Sequence, residues 1–380
     1  MECFCDGCEY TGHCICYVKS HNGERLVALD RSRDNSQQEA LETNRFKAWG
    51  LSVISGLLSL CIYGYAVSVL AVMVTIFFTG DRWWFGTVLL YGPRWIYAFP
   101  LFVLVPTALI WQRRSLWVLA LTIAVIVWPI MGLNIPINGL FESAPSEFRV
   151  LSYNVQRWEV MGDEFSKLLE EVQPDFAAVQ ECASPKRFKR GIPDKWFTHS
   201  ARYSVVVSRY PLSRCETSRR GHEINGLYCV IETPLGPVGF ANIDLLTPRR
   251  ALNTILDRET IFDLSQVDYA QERIAQRWQE SEKLFDWVQA FPEDNKILAG
   301  DFNLTADSPI YRNVWSEYQN AYSRTMLGYG QTKKTKINVF RYKTRIDHIL
   351  STSRLKPLKA WLGPDLGSDH LPLVAEFARN

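Results

Sequence analysis

Five short stretches of this chain combine apolar runs with a carboxylate, a carboxamide or an imidazole. They are Ser152-Tyr153-Asn154, Gln180-Glu181, Gly300-Asp301-Phe302-Asn303, Arg345-Ile346-Asp347-His348 and Gly367-Ser368-Asp369-His370. Any one of them alone is an ordinary rim or turn sequence. Together they gather carboxylates, carboxamides and an imidazole into one region, a mixture with no structural purpose of its own. Oxygen-rich sets are what hard cations such as Mg²⁺ or Mn²⁺ take. A cation, an imidazole and amide donors in one cleft are what a phosphate under nucleophilic attack requires.

Each stretch belongs to an apolar run that reads as a strand. Phe148–Asn154 alternates, Phe176–Gln180 is apolar up to Glu181, and Lys296–Ala299 runs straight into Gly300-Asp301. Arg345–Ser351 and Pro372–Phe377 follow, and Tyr203–Ser208, Leu227–Glu232 and Val238–Asp244 are further strands by the same criterion. Helical spacing of apolar residues predicts helices over Asp163–Val172 and about Val267–Ala290. Strands outnumber helices, and helices interrupt them irregularly. That predicts an α/β sandwich of two packed sheets rather than a doubly wound parallel sheet. Strand ends on such a scaffold can aim side chains into one cleft.

The N-terminal third has a different texture. No Asp, Glu, Lys or Arg occurs between Lys47 and Asp81, between Arg94 and Arg113, or between Arg114 and Glu142. A helical span needs roughly 20 apolar residues, so spans are predicted at about Ala48–Phe78, Trp95–Trp111 and Leu116–Ile135. Trp83–Pro93 is too short to cross and rich in aromatics, which suits an interfacial or re-entrant piece. The expected organisation is a Cys-rich, polar, disordered tail over 1–47, a transmembrane region of about three helices over 48–137, and a phosphoesterase domain over 147–380. Arg45, Lys47, Arg113 and Arg114 flank the spans on one side, which should be the cytoplasm. This makes a multi-pass protein of the cell membrane with its C-terminal domain outside, although Arg82 and Arg94 run against that orientation. Five cysteines (Cys3, Cys5, Cys8, Cys14, Cys16) crowd the tail, either as zinc thiolates or as a mobile reduced segment. Cys182, Cys215 and Cys229 leave room for one disulfide, with the pairing open.

In their order along the chain, S-Y-N, Q-E, G-D-F-N, R-I-D and G-S-D-H-L-P resemble the endonuclease/exonuclease/phosphatase superfamily, the group with DNase-I-like folds. The likeness extends over Glu147–Asn380, and the N-terminal spans are similar to those of its bacterial membrane-tethered members. It implies a four-layered α/β/β/α sandwich, a Mg²⁺ or Mn²⁺ cofactor and phosphoester hydrolysis. It further implies that Glu181 is a metal ligand, with Asn154 and Asp369 beside the metal. Asp301 would orient or deprotonate the attacking water, and Asn303 would hold that water and the phosphate. His370 would donate to a phosphate oxygen, with Asp347 fixing its tautomer.

One position departs from the pattern. Asn242-Ile243-Asp244-Leu245 stands where family members often carry N-x-H-L, so Asp244 replaces a histidine donor. An ionised carboxylate there would repel phosphate, unless it recruits a second cation. The substrate is expected to be a phosphodiester, either nucleic acid or a phospholipid head group, with the bilayer as the other partner and no protein partner inferable. From Pro145 onward 32 Lys/Arg stand against 30 Asp/Glu, which is no duplex binder's strong basic face. Basic residues do follow the site-bearing strands: Lys186, Arg187, Lys189 and Arg190; Arg249 and Arg250; and Lys333, Lys334, Lys336, Arg341 and Lys343. Lys343-Thr344-Arg345-Ile346-Asp347 lacks the P-x-W-C-D-R of inositol-polyphosphate phosphatases. The alternative function is a non-catalytic membrane receptor that binds a phosphorylated ligand in a degenerate cleft, a reading that Asp244 keeps open.

Overall fold

The computed structural model describes residues 3–6, 15–18, 29–136, 145–157, 162–256, 264–337 and 340–379. It divides into two compact units, one of Met1–Ala66 with Pro100–Ala120, the other of Val67–Phe99 with Leu121–Asn380.

In the N-terminal stretch, expected to be disordered, the chain forms strands β1 (Cys3–Asp6), β2 (Ile15–Val18) and β3 (Leu29–Asp30). Helix α1 then runs from Arg31 to Thr79. The side chains of the five N-terminal cysteines, on which the question of metal binding turns, lie outside the described residues. Three helical segments are long and apolar enough to cross a membrane: Ala40–Thr79, Arg94–Trp111 and Arg113–Ile130. The first contains most of α1, the second ends in α3 (Leu101–Trp111) and the third holds α4 (Leu116–Val125). The third closes at Ile130 in a π turn containing Pro129, which has no N–H to continue the ladder. The expectation of a span reaching Ile135 was therefore a turn too long.

Helix α2 (Trp84–Tyr91) forms within the stretch Trp83–Pro93 that was expected to be interfacial or re-entrant. Trp84 and Val88 pack on Ala251, Ile255 and Ala270, and the Trp84 N–H donates to Gln271 Oε1 at 3.1 Å. The segment is bound to the C-terminal fold, inside the same compact unit.

That fold is built from β4 (Phe148–Arg157), α5 (Gly162–Val172), β5 (Phe176–Cys182), α6 (Pro185–Phe188), β6 (Phe197–Ala201), β7 (Ser204–Ser208), β8 (Leu212–Arg220), β9 (Glu223–Thr233) and β10 (Gly236–Asp244). It continues through α7 (Arg249–Leu256), α8 (Leu264–Gln289), β11 (Lys296–Asp301), β12 (Gln319–Asn320), α9 (Ala321–Thr325), β13 (Lys333–Ile337), β14 (Phe340–Thr344), β15 (Asp347–Ser351), β16 (Leu355–Leu362) and β17 (Leu373–Arg379). Two six-stranded sheets result, in the orders β12-β15-β11-β10-β9-β8 and β16-β17-β4-β5-β7-β6. Each holds one parallel pair, β10 with β11 and β4 with β5, and a parallel pair needs a crossover. Helices α7 and α8 supply one crossover and α5 the other, which is why helices interrupt the strands so unevenly.

Period-two alternation assigns the faces. Val150, Ala178, Phe240, Ile297, Ala299 and Ile349 meet between the sheets. The opposite parity packs outward. Leu151, Tyr153 and Val179 lie under Phe165, Leu168 and Leu169 of α5, and Ile243, Leu298 and Leu350 under Leu284 and Val288 of α8. The layers are therefore α/β/β/α, as expected. Cys215 and Cys229, opposite each other on β8 and β9, form the disulfide, while Cys182 is free and buried.

Candidate active site

Toward one end of the sandwich the inward-facing residues change from apolar to polar while keeping their parity. Val150 gives way to Ser152 and Asn154, Ala178 to Gln180, Phe240 to Asn242 and Asp244, Ala299 to Asp301, and Ile349 to Asp347. Alternation thus delivers these side chains to one floor between the sheets. The floor is tied across its two halves: Gln180 donates to Asn242 Oδ1 at 2.7 Å, and Asn242 donates to the carbonyls of Val179 and Val205. Gly300 permits the closest strand approach there, because a Cβ would overlap the Ile243 carbonyl.

Asn154 is the hub. Its Nδ2 donates to Glu181 Oε1 and to Asp301 Oδ2, both at 3.2 Å, while its Oδ1 accepts the Gln156 N–H. Asp301 Oδ1 accepts the Asn303 N–H at 3.0 Å. His370 Nδ1 lies 2.9 and 3.0 Å from the two oxygens of Asp347, so that nitrogen donates, and Nε2 turns to Asp301 Oδ2 at 3.5 Å. Asp347, His370 and Asp301 are buried, and one ligand-type atom of each falls within 4.8 Å of the others. Asp369 reaches the same place: its Oδ1 stands 3.8 Å from His370 Nε2, and its other oxygen holds Lys333. Glu181 and Asn303 both take left-handed backbone, φ +51° in each case, an unfavourable conformation that clusters at functional sites.

Burial and neighbouring charge set the protonation of this group. Burial, then the Asp347 charge, raises Asp301 to about 7. Burial alone would lower His370, but Asp347 and Asp301 outweigh it and raise it to about 8. Burial would raise Asp347, yet the His370 charge and hydrogen bond hold it below the usual range. Burial, followed by the charges of Asp301 and Glu181, pushes Asp244 well above the ordinary carboxylate range. In the metal-free chain these causes disfavour the ionised form of Asp244. His348 is structural: Nε2 is 2.8 Å from the Leu304 carbonyl, Nδ1 is 3.0 Å from Asn320 Nδ2, and burial pulls it down to about 4.

Asn154, Glu181, Asp301, Asn303, Asp347, Asp369 and His370 meet here. Asp244 does so as the register partner of Asp301 across β10 and β11. What sequence reasoning missed lies behind them. The Asn303 carbonyl accepts Arg277 Nη2 at 2.8 Å and Tyr91 Oη at 3.3 Å, and Arg277 is ion-paired with Asp81. Asp81 and Arg277 are 0% and 3% exposed, so a loop before α2 buttresses the loop that carries Asn303. Lys333, read only as part of a basic cluster, sits directly on Asp369. The side chain of Arg187 lies outside the described residues.

A sandwich of two sheets with a floor of carboxylates, carboxamides and an imidazole at one end is the arrangement of the DNase-I-like fold class. Residues 151–370 match the model of the Endonuclease/Exonuclease/phosphatase family, and the chain belongs to that family. Similar solved structures include an endonuclease/exonuclease/phosphatase from Beutenbergia cavernae DSM 12333, at 15% identity over 62% of this chain and 72% of that one, TM-score 0.45. A family protein from Leptotrichia buccalis C-1013-b has 16% identity over 61% and 100%, TM-score 0.45. D. rerio TDP2 complexed with a single-strand DNA product has 15% identity over 61% and 98%, TM-score 0.43. No curated protein matches.

Proposed function

We propose that this chain is a membrane-anchored, divalent-metal-dependent phosphodiesterase that works by attack of an activated water. The observation that carries the reading is the hydrogen-bonded series Asp347–His370, Asn154–Asp301 and Asn154–Glu181 on one floor. The donor set suits a hard cation: Glu181, Asp369 and the Asn154 carboxamide are oxygen ligands, and Asp369 Oδ1 is buried without a hydrogen-bond partner. Lys333 already places a positive charge on Asp369. A bound Mg²⁺ or Mn²⁺ would supply Lewis-acid stabilisation of phosphoryl charge.

The protein groups do the rest. Asp301, raised to about 7, is matched to accept a proton from water at neutral pH. Asn303 is held by its own Nδ2 on the Leu245 carbonyl, 2.8 Å, which keeps its loop over the floor. His370, charged at neutral pH, offers Nε2–H to a phosphoryl oxygen while Asp347 fixes the ring from behind. Asp244 in neutral form can donate a hydrogen bond, the task the family gives to histidine at this place.

The anchor reading rests on the three apolar helices, and the domain would face away from the cytoplasm. The two arginines that ran against this orientation are engaged by the domain. Arg94 pairs with Asp307 at 2.6 Å, and Arg82 lies over the Trp278 ring. The test is turnover of the full chain in mild detergent on bis-p-nitrophenyl phosphate, DNA, RNA and phospholipid, with Mg²⁺ or Mn²⁺ against EDTA. Metal-dependent cleavage lost by roughly 100-fold or more in Asp301→Asn is expected. No cleavage of any phosphodiester overturns the reading and favours the receptor. A fragment beginning at Glu147 is the wrong material, since it strips Asp81 from the buried Arg277.

A further inference from the structure

The catalytic floor leaves unused a cavity of about 520 Å³. Asp301, Asn303, Asp347 and His370 do not line it. Its walls come from Arg94 and Trp95 at the start of the second apolar segment, from Trp128 at the end of the third, and from Arg341, Lys343 and Arg345 of the C-terminal fold. Arg94 is neutralised by Asp307. Arg341, Lys343 and Arg345 form no ion pair among the described residues, so the cavity carries a positive excess.

Arg345 is the telling group. Its guanidinium lies over the Tyr322 ring, and its Nη1 is buried with no hydrogen-bond partner among the described residues. An unmet buried donor costs about 1–3 kcal/mol, and more when charged, so an anion that reached it would offset that cost. A planar fork of donors suits phosphate.

We propose that this cavity is a second anion site, separate from the catalytic floor, that takes the phosphate of an anionic lipid headgroup. Two features select a lipid over a free phosphate. The aromatic walls Trp95 and Trp128, the latter 56% exposed, stand at the ends of the apolar segments, where Trp favours the headgroup zone. An anionic headgroup there would meet the positive excess beside the ends of the apolar segments. The proposal rests on the anchor reading and is independent of hydrolysis.

The experiment titrates the full chain, in neutral detergent with EDTA, with monomeric dihexanoyl phosphatidylglycerol, dihexanoyl phosphatidylcholine and inorganic phosphate. Tryptophan fluorescence and thermal shift are the readouts. Saturable binding of phosphatidylglycerol in preference to the other two is expected. It should weaken roughly ten-fold or more in Arg345→Gln, the scale of one charge-assisted hydrogen bond. Arg341→Glu with Lys343→Glu, both exposed positions, gives the same loss without touching a buried group. His370→Ala should leave binding intact, which separates this cavity from the catalytic floor. Equal or tighter binding of inorganic phosphate, binding indifferent to the cavity variants, or binding lost in His370→Ala overturns the proposal. Because EDTA prevents turnover, failure of the hydrolytic reading leaves the result unaffected.

Discussion

Asp81→Asn should destabilise the fold far more than its place in a short loop suggests. The Asp81 carboxylate faces Arg277, whose remaining donors go to the Leu246 carbonyl at 3.0 Å, Tyr91 Oη at 2.8 Å and the Asn303 carbonyl at 2.8 Å. Both partners are buried, so solvent screening gives little relief. Removing one partner leaves a buried charge uncompensated, a loss of about 3–5 kcal/mol, against about 0–1 kcal/mol for an exposed pair. Arg277→Met should cost a similar amount and also free the Asn303 carbonyl. The double variant removes both charges and should cost clearly less than the two single losses added, with a coupling of about 0.5–3 kcal/mol. Equilibrium unfolding of the full chain in mild detergent measures all three, with Trp278, which donates to the Asp81 carbonyl, as a nearby fluorophore. Additive losses, or a single-variant cost under about 1 kcal/mol, would refute the buried-clamp argument.

Glu181→Gln should weaken Mg²⁺ or Mn²⁺ binding and reduce turnover; unchanged affinity by calorimetry removes it from the ligand set. Asp347→Asn and His370→Ala should each lower turnover by roughly 100-fold, and the double variant should be little worse than either, since Asp347 works through the ring. The metal-free chain should lose stability as pH rises from about 6 to 8.5. The raised His370 contributes fully below its ordinary 6.5 and loses that contribution through about 8. Asp301, raised to about 7, acts in the same direction, its contribution present at low pH and lost through 7. A melting temperature in EDTA that climbs over this range contradicts the assignment. Asp244→His should raise turnover if the aspartate only stands in for a donor, and lower both turnover and metal stoichiometry if it holds a second cation; kinetics with metal counting decides.

Asn154, Asp301 and Asp347 were legible before any fold was known because strand alternation is local, whereas Glu181, Asp369 and His370 were legible from their motifs. Asn154, Asp301 and Asp347 keep the parity of the apolar residues beside them, so the pattern alone brings them to the inward face. The apolar spans were legible for a similar reason, since long runs free of charge need no tertiary information. Gln180–Asn242 could have been found by extending that parity one residue further on each strand. The Asp81–Arg277 pair could not, because its members lie 196 residues apart and each alone looks like an ordinary loop or helix charge. The same holds for α2, whose aromatic composition fits a headgroup layer as well as a protein groove. The packing of Trp84 and Val88 on α7 and α8 is visible only in the tertiary structure. The Cys215–Cys229 pairing and the protonation of Asp244 likewise waited on the tertiary structure. Local periodicity determines which face a side chain takes, whereas partners, burial and charge balance depend on which distant segments the topology brings alongside.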